Sequence, residues 1–200
     1  MTPYLVLLAA YILGAIPFGY LIYRQKTGRD IRGEGSGNIG ATNVARLAGK
    51  SAGAVTLLLD VGKGYLAVML AVWFVPGDTD WKTYAAMAVL IGHMFPVFLK
   101  FRGGKGVAAA LGSFAALAPW AVLAVLAAFV TVLISRRYVS LAAMVAAVLF
   151  PLAEWVFYHP SMVQMVGSSV AVALIIYKHR ANIERLMNGT ESKFGPQIGK

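Results

Sequence analysis

The sequence predicts an all-α polytopic membrane protein, with residues 1–200 in a single integral membrane domain. Apolar residue types make up 59% of the 200 residues and charged types make up 13%. Average globular chains contain about 45–50% apolar and about 25% charged residues. The mean hydropathy is +0.71, and apolar runs near the length of a membrane-crossing helix alternate with short polar segments. Charged residues are therefore too few to cover a soluble domain of this size.

Seven apolar segments are predicted to span the membrane. They are Tyr4–Tyr23, Ala52–Val75, Thr83–Leu99, Val107–Ala118, Trp120–Ser135, Leu141–Tyr158 and Met162–Tyr177. The fourth and fifth could instead form one helix from Val107 to Ser135 that is kinked at Pro119. Cytoplasmic segments carry most Lys and Arg residues. Seven spans with the N-terminus outside place 16 of the 18 basic residues on the inner side, whereas six spans move many of them outside. The C-terminus is therefore expected to be cytoplasmic.

The remaining polar segments agree with this topology. The acidic segment Gly77–Asp80 is expected outside, and the first apolar segment is expected to remain as a span because no basic start precedes it. The tail from Lys178 is expected to extend the last helix, which Asn188 and Gly189 would end.

The net charge of +10 could indicate nucleic-acid binding, but the basic residues lie beside the spans, so no nucleic-acid partner is expected. Cysteine is absent, which excludes disulfides and thiolate catalysis.

The first glycine-rich segment, GSGNIGATNVAR, covers Gly35–Arg46. It fits G-x-G-x-x-G, but a predicted membrane helix precedes it where a dinucleotide site requires a strand, so that interpretation is rejected. Glycines let backbone N–H groups point at one spot, and the polar side chains add hydrogen bonds and a guanidinium. The alternative is an ordinary solvated loop. The candidate substrate-binding residues here are Ser36, Asn38, Thr42, Asn43 and Arg46.

The second glycine-rich segment, FRGGKG, covers Phe101–Gly106. It is not a Walker loop, because Gly106 follows Lys105 where Ser or Thr is required. Gly103, Gly104 and Gly106 permit a tight turn, and a helix starting near Val107 would direct free N–H groups into it. The four residues 103–106 are thus candidates for binding an anion. The alternative is that the glycines only tighten a turn and Lys105 only sets topology.

The third segment surrounds His179 and Asn182, which would share one face of a helix at i,i+3 spacing. The alternative is an interfacial helix end whose cations complement the helix dipole. The predicted topology puts all three segments at the inner membrane face. Together they predict a pocket for anionic, phosphorylated small molecules.

These segments resemble the bacterial acyl-phosphate:glycerol-3-phosphate acyltransferase family (PlsY-type). The matching stretches are GSGNIGATNVAR, GGKGVA and HRANIERLMNGTE, although the family leads us to expect proline at Ile39. The resemblance implies acyl transfer from acyl phosphate to the 1-hydroxyl of glycerol 3-phosphate, giving lysophosphatidic acid and phosphate in phospholipid biosynthesis. It also implies a bacterial inner-membrane enzyme with a cytoplasmic site, in contact with membrane lipid. No cofactor and no obligatory protein partner are expected.

The candidate catalytic residues are His179, Lys105 and Ser36. The base is either His179, whose ordinary pKa suits that role, or the phosphate of the donor. Ser36 is expected to hydrogen-bond substrate rather than to be acylated, because no base is tethered to it. His179 and Glu184 are five residues apart, but i and i+5 point in different directions on a helix. They are therefore not assigned as the H-x-x-x-x-D motif of other acyltransferases.

Ionisable residues inside a span are costly and are usually paired or functional. Asp60 and Lys63, at i,i+3, are expected to form an ion pair, and direct contact with substrate is the alternative. His93 is expected to be a hydrogen-bonding residue of the bundle interior, since no second ligand stands at metal-binding spacing. No metal site is predicted. A carrier of phosphorylated metabolites remains the alternative function, although no two-fold repeat supports it.

Overall fold

The computed structural model describes residues 3–77 and 79–195. Asp78 and Lys200, both used in the topology prediction, lie outside the described residues. The regular structure of the described part is helical. The chain divides between Leu117 and Ala118 into two compact units.

The first unit contains six α-helices and two short 3₁₀ turns within its described residues. The helices are α1 (Pro3–Ala15), α2 (Phe18–Thr27), α3 (Ala41–Ala48), α4 (Lys50–Phe74), α5 (Asp80–Met94) and α6 (Val107–Leu117); the turns are Ile31–Gly33 and Val97–Leu99. The predicted continuous helix Tyr4–Tyr23 is interrupted at Ile16–Pro17. Proline lacks an N–H group and its ring clashes with the preceding turn, which accounts for the break.

Small side chains allow the helices of the first unit to pack closely. Helix α1 packs against α5, and α4 packs against α6. A Cβ atom on Gly64 of α4 would overlap the carbonyl oxygen of Ala109, and one on Gly112 of α6 would overlap that of Val61. Such close backbone contact through small residues is typical of membrane helices. Helix α6 is therefore held directly against the backbone of α4.

The second unit contains four α-helices within its described residues. They are α7 (Pro119–Arg136), α8 (Val139–Tyr158), α9 (Met162–Lys178) and α10 (Arg180–Met187). Helix α7 packs against α8, and α8 packs against α9. Pro119 is the first residue of α7, where its missing N–H group costs nothing. As predicted, the last helix ends at Asn188 and Gly189, with Gly189 at φ +67°.

Five described segments are long and apolar enough to cross a membrane. They are Pro3–Thr27, Lys50–Phe74, Asp80–Leu99, Pro119–Arg136 and Val139–Tyr158. Helices α9 and α10 meet at a 55° bend and together would make a sixth. Helix α6 is apolar but has only 11 residues, about 16 Å of rise. The all-helical membrane class is confirmed, while the number of spans and the orientation of the termini stay predictions.

Candidate active site

The first glycine-rich segment folds around the side chain of Asn43, near the start of α3. The Asn43 Oδ1 atom accepts a hydrogen bond from the backbone N–H of Ser36 at 3.1 Å. Its Nδ2 atom donates to the carbonyl oxygens of Glu34 at 3.1 Å and Asn38 at 3.0 Å. Asn43 is only 2% exposed. Its amide therefore shapes the loop, and the predicted contact of Asn43 with substrate stays a prediction.

Two positive-φ glycines let this loop turn back on itself. Gly35 lies at φ +59° and Gly37 at φ +69°, a region that other residues occupy at a cost. Ser36 is exposed at the resulting bend. Thr42 and Arg46 are both exposed and lie one turn apart on α3, as the i,i+4 spacing predicts. The segment thus presents hydroxyl groups and a guanidinium outward, in the arrangement that suits a phosphate.

The second glycine-rich segment lies against the end of α5. The N–H of Gly104 donates to the carbonyl of His93 at 3.1 Å, and that of Gly103 donates to the carbonyl of Met94 at 3.3 Å. Gly106 has φ +84° and is followed directly by α6. The first N–H groups of a helix have no partner within the helix and attract anions. Lys105, half-buried, adds a full positive charge beside them.

Both segments are rooted in one buried cluster of the first unit. Ile39 and Val44 come from the first segment, and Leu99 lies two residues before the second. The Arg32 Nη1 atom also donates to the carbonyl of Leu99 at 3.4 Å. Arg32 is itself held by Asp30, at 2.6 Å between Nη2 and Oδ2, and this hydrogen-bonded pairing lowers the pKa of Asp30. The cluster therefore fixes the two segments at the same end of the unit.

His179 lies in the second unit, at the bend between α9 and α10. It is 2% exposed, and its Nδ1 atom lies 2.8 Å from the carbonyl of Ile175. An N–H donated to that carbonyl makes Nε2 the proton-accepting nitrogen of the neutral ring. The backbone N–H of Asn182 donates to the carbonyl of His179 at 2.8 Å. The predicted i,i+3 relation is present, with His179 at the bend rather than inside one continuous helix.

Sequence reasoning gave no role to Glu191, the last residue of the HRANIERLMNGTE stretch, although it holds the Asn182 side chain. The Oε1 atom of Glu191 accepts from Asn182 Nδ2 and from Ser140 Oγ, each at 2.6 Å. Its Oε2 atom accepts from Arg185 Nε at 2.7 Å. Burial alone would raise the pKa of Glu191, but the three hydrogen bonds outweigh it and lower the pKa below its usual value. Ser140 is far from Glu191 in sequence, so no local pattern could have revealed this contact.

The predicted ion pair of α4 is confirmed. Lys63 Nζ lies 2.9 Å from Asp60 Oδ1. Both residues are 2% exposed. His93 belongs to the same cluster, with its Nδ1 atom 3.6 Å from Asp60 Oδ1. The sequence placed these residues in two separate spans and gave no sign that they meet.

The structure thus accounts for the predicted site residues in two groups. Those of the first unit are Ser36, Asn38, Thr42, Asn43, Arg46, Gly103, Gly104, Lys105 and Gly106. His179 and Asn182 are in the second unit. The roles of all these residues in binding or catalysis stay predictions. Among residues 3–77 and 79–195, no group of three or more His, Asp or Glu side chains is arranged to hold a metal ion.

Comparison with known proteins gives a consistent result. The family model for glycerol-3-phosphate acyltransferase matches residues 4–189. A glycerol-3-phosphate acyltransferase of Bordetella pertussis is 45% identical over 197 residues, covering 95% of this chain and 91% of the relative. Two crystal structures of PlsY, an integral membrane glycerol 3-phosphate acyltransferase, are also similar. Its glycerol 3-phosphate form has a TM-score of 0.92 at 40% identity, and its lysophosphatidic acid form has 0.88 at 39%; each comparison covers 98% of this chain and 96% of the other. The chain therefore belongs to the PlsY-type glycerol-3-phosphate acyltransferase family of integral membrane proteins.

Proposed function

We propose that the chain transfers an acyl group from acyl phosphate to the 1-hydroxyl of glycerol 3-phosphate. The products are lysophosphatidic acid and inorganic phosphate. Membership of the family supports the acceptor, and the two PlsY structures are named for glycerol 3-phosphate and lysophosphatidic acid, which are the acceptor and product of this reaction. The acyl phosphate donor is supported by the sequence resemblance and by the cationic character of the glycine-rich segments.

One observation carries the proposal. Both glycine-rich segments of the first unit are anchored at one buried cluster, through Ile39 and Val44 for the first segment and through Leu99 for the second. A site for two phosphate-bearing molecules needs more than one set of donors at one place. The exposed guanidinium of Arg46 and the ammonium of Lys105 supply charge, and the two turns supply backbone N–H groups. This arrangement suits a reaction in which donor and acceptor both carry phosphate.

The proposed reaction is a direct displacement at the acyl carbon. The 1-hydroxyl oxygen of glycerol 3-phosphate attacks the carbonyl carbon and forms the new ester bond. The bond from that carbon to the phosphate oxygen breaks, and its electron pair leaves with phosphate. Lys105 and the N–H groups at the start of α6 bind a phosphate group and stabilise the negative charge that develops. Ser36, Thr42 and Arg46 hold phosphate oxygens, together with Asn38.

The hydroxyl proton goes either to His179 or to the departing phosphate. The neutral ring with Nδ1 directed at the Ile175 carbonyl is the form in which Nε2 could accept a proton. Asn182, whose side chain is held by Glu191, is proposed to contact substrate from the first turn of α10, directly after His179. A His179→Gln variant separates the two routes. If His179 is the base, the variant loses the acidic limb of the pH–rate profile, and if phosphate is the base, the limb remains.

The proposed location is the bacterial inner membrane, with the active-site segments facing the cytoplasm. Seven spans are proposed, with the N-terminus outside. The five long apolar segments, the bent pair of α9 and α10, and the short helix α6 are consistent with that number. Labelling of single cysteines introduced into the cysteine-free chain, from either side of the membrane, tests the orientation.

The catalytic proposal is tested with purified protein, acyl phosphate and glycerol 3-phosphate. We expect phosphate release that depends on glycerol 3-phosphate. Arg46→Ala and Lys105→Ala should each lower kcat/KM by roughly 10- to 150-fold, since a hydrogen bond to a charged group is worth about 1.5–3 kcal/mol. Exposed Arg136 and Lys50 provide matched controls, as Arg136→Ala and Lys50→Ala. Phosphate release that ignores glycerol 3-phosphate, or near-normal activity in both test variants, would contradict the proposal.

A further inference from the structure

A buried charged cluster lies beneath the second glycine-rich segment. Lys63 Nζ is 2.9 Å from Asp60 Oδ1 and also donates to the carbonyl of Ile16 at 2.8 Å. That carbonyl lies at the break between α1 and α2, where proline interrupts the helical hydrogen bonds. The pair thus connects α4 to the break in the first apolar segment. Burying two charges is costly, so an apolar pair would hold these helices together at lower cost.

His93 connects this cluster to the glycine-rich turn. Its Nδ1 atom lies 3.6 Å from Asp60 Oδ1, and the residue is 4% exposed. Its carbonyl accepts the N–H of Gly104 at 3.1 Å. A Cβ atom on Gly104 would overlap the Nε2 atom of the His93 ring, and one on Gly103 would overlap the His93 carbonyl oxygen. The turn therefore rests on both the backbone and the ring of His93.

We propose that His93, oriented by Asp60, is a positioning residue that sets where Gly103 and Gly104 lie and so aims Lys105 at a phosphate. The inference rests on the proposed function, in which this turn binds a phosphate group. A ring displaced from Asp60 would move the turn that lies on it. Displacements of about 1 Å in a binding group can cost up to 100-fold in rate. The network is thus retained for placing the turn, in addition to joining α4 and α5.

A purely packing role and a positioning role predict different kinetics. Loss of packing lowers thermal stability and the active fraction, so kcat falls while KM stays unchanged. Misplacement of the turn weakens the binding of the phosphate group by Lys105, so KM rises more than kcat falls. The KM values of acyl phosphate and glycerol 3-phosphate are therefore measured separately. The substrate affected should be the one whose KM also rises in Lys105→Ala.

The first test compares His93→Leu with His93→Asn. Leucine fills a similar volume but cannot interact with Asp60, whereas the asparagine amide can take the place of Nδ1. We expect His93→Leu to raise the KM of that substrate by about 10- to 100-fold, the loss expected for a hydrogen bond to a charged group, and His93→Asn to restore most of the loss. His159, exposed at the end of α8, provides the control His159→Leu, which should leave both KM values unchanged.

The second test uses the double variant Asp60→Leu with Lys63→Met, which also removes the oxygen that faces His93. It removes both buried charges together, so neither remains uncompensated, and such replacements are often tolerated. It decides the question if His93→Leu fails to fold, and it should raise the KM of the same substrate. Unchanged KM values in every folded variant, with only stability and kcat lowered, overturn the inference. If Lys105→Ala and Arg46→Ala also leave activity near normal, the proposed function itself fails.

Discussion

The contact between Glu191 and Asn182 leads to a prediction that can be worked through in numbers. Glu191→Ala removes the acceptor for the Ser140 hydroxyl and the Asn182 amide, which are 6% and 4% exposed. A buried donor without a partner costs about 1–3 kcal/mol. The Arg185 side chain is 36% exposed, so we assign its lost ion pair at most about 1 kcal/mol. The two lost hydrogen bonds and the ion pair together give an expected destabilisation of about 2–7 kcal/mol.

Thermal unfolding of the detergent-purified protein measures this change. For chains of 150–250 residues, 1 kcal/mol corresponds to about 2–4 °C in Tm, so even the lower limit of about 2 kcal/mol should lower Tm by about 4–8 °C. Glu191→Gln keeps one acceptor oxygen and should fall between wild type and Glu191→Ala. Glu184, exposed on α10, provides the control Glu184→Ala. If both alanine variants melt like the wild type, the assigned hydrogen bonds do not hold α10 in place.

Three further predictions concern pH, a glycine and metal ions. The depressed pKa of Glu191 means that its contribution to stability is present above the usual glutamate pKa and is lost as pH falls through the lower folded value. Melting curves across that acidic range should therefore show a smaller loss of Tm in Glu191→Gln than in wild type. Gly106→Ala places a Cβ at φ +84° against Met94, whereas Gly28→Ala at φ +73° meets open space; we expect Gly106→Ala to lower both Tm and activity further. Activity should survive EDTA, and a requirement for magnesium in the phosphate-release assay would contradict this.

Much of the helical arrangement follows from hydrophobic run length and local signals. The ends of α4 and the final stop at Asn188 and Gly189 were predicted well, because apolar content and a positive-φ glycine act locally. The break at Pro17 was missed, although proline was a visible signal, because the apolar run continues across it. The separate helix α3 was not delimited either. Gly49 at φ +95° divides it from α4.

Some residues of the candidate site can also be recognised from the sequence, and others cannot. Its glycine-rich turns and basic residues are recognisable because each is a short contiguous stretch with its own chemistry. The residues that hold these turns in place are not recognisable, since they make their contacts with distant parts of the chain. Asn43 was identified as polar, but its use inside the loop depends on how the loop folds. Glu191 and His93 acquire their roles only from tertiary contacts, which no periodicity encodes.

The close approach of α4 and α6 through Gly64 and Gly112 restricts which sequences this fold can accept. Carbonyl oxygens already fill the space where a methyl group would stand, so even alanine would push the two backbones apart. Since α6 starts where the Lys105 turn ends, that separation would also displace the turn that carries Lys105. A saturation library screened for activity should therefore show intolerance at two sites that carry no functional group at all.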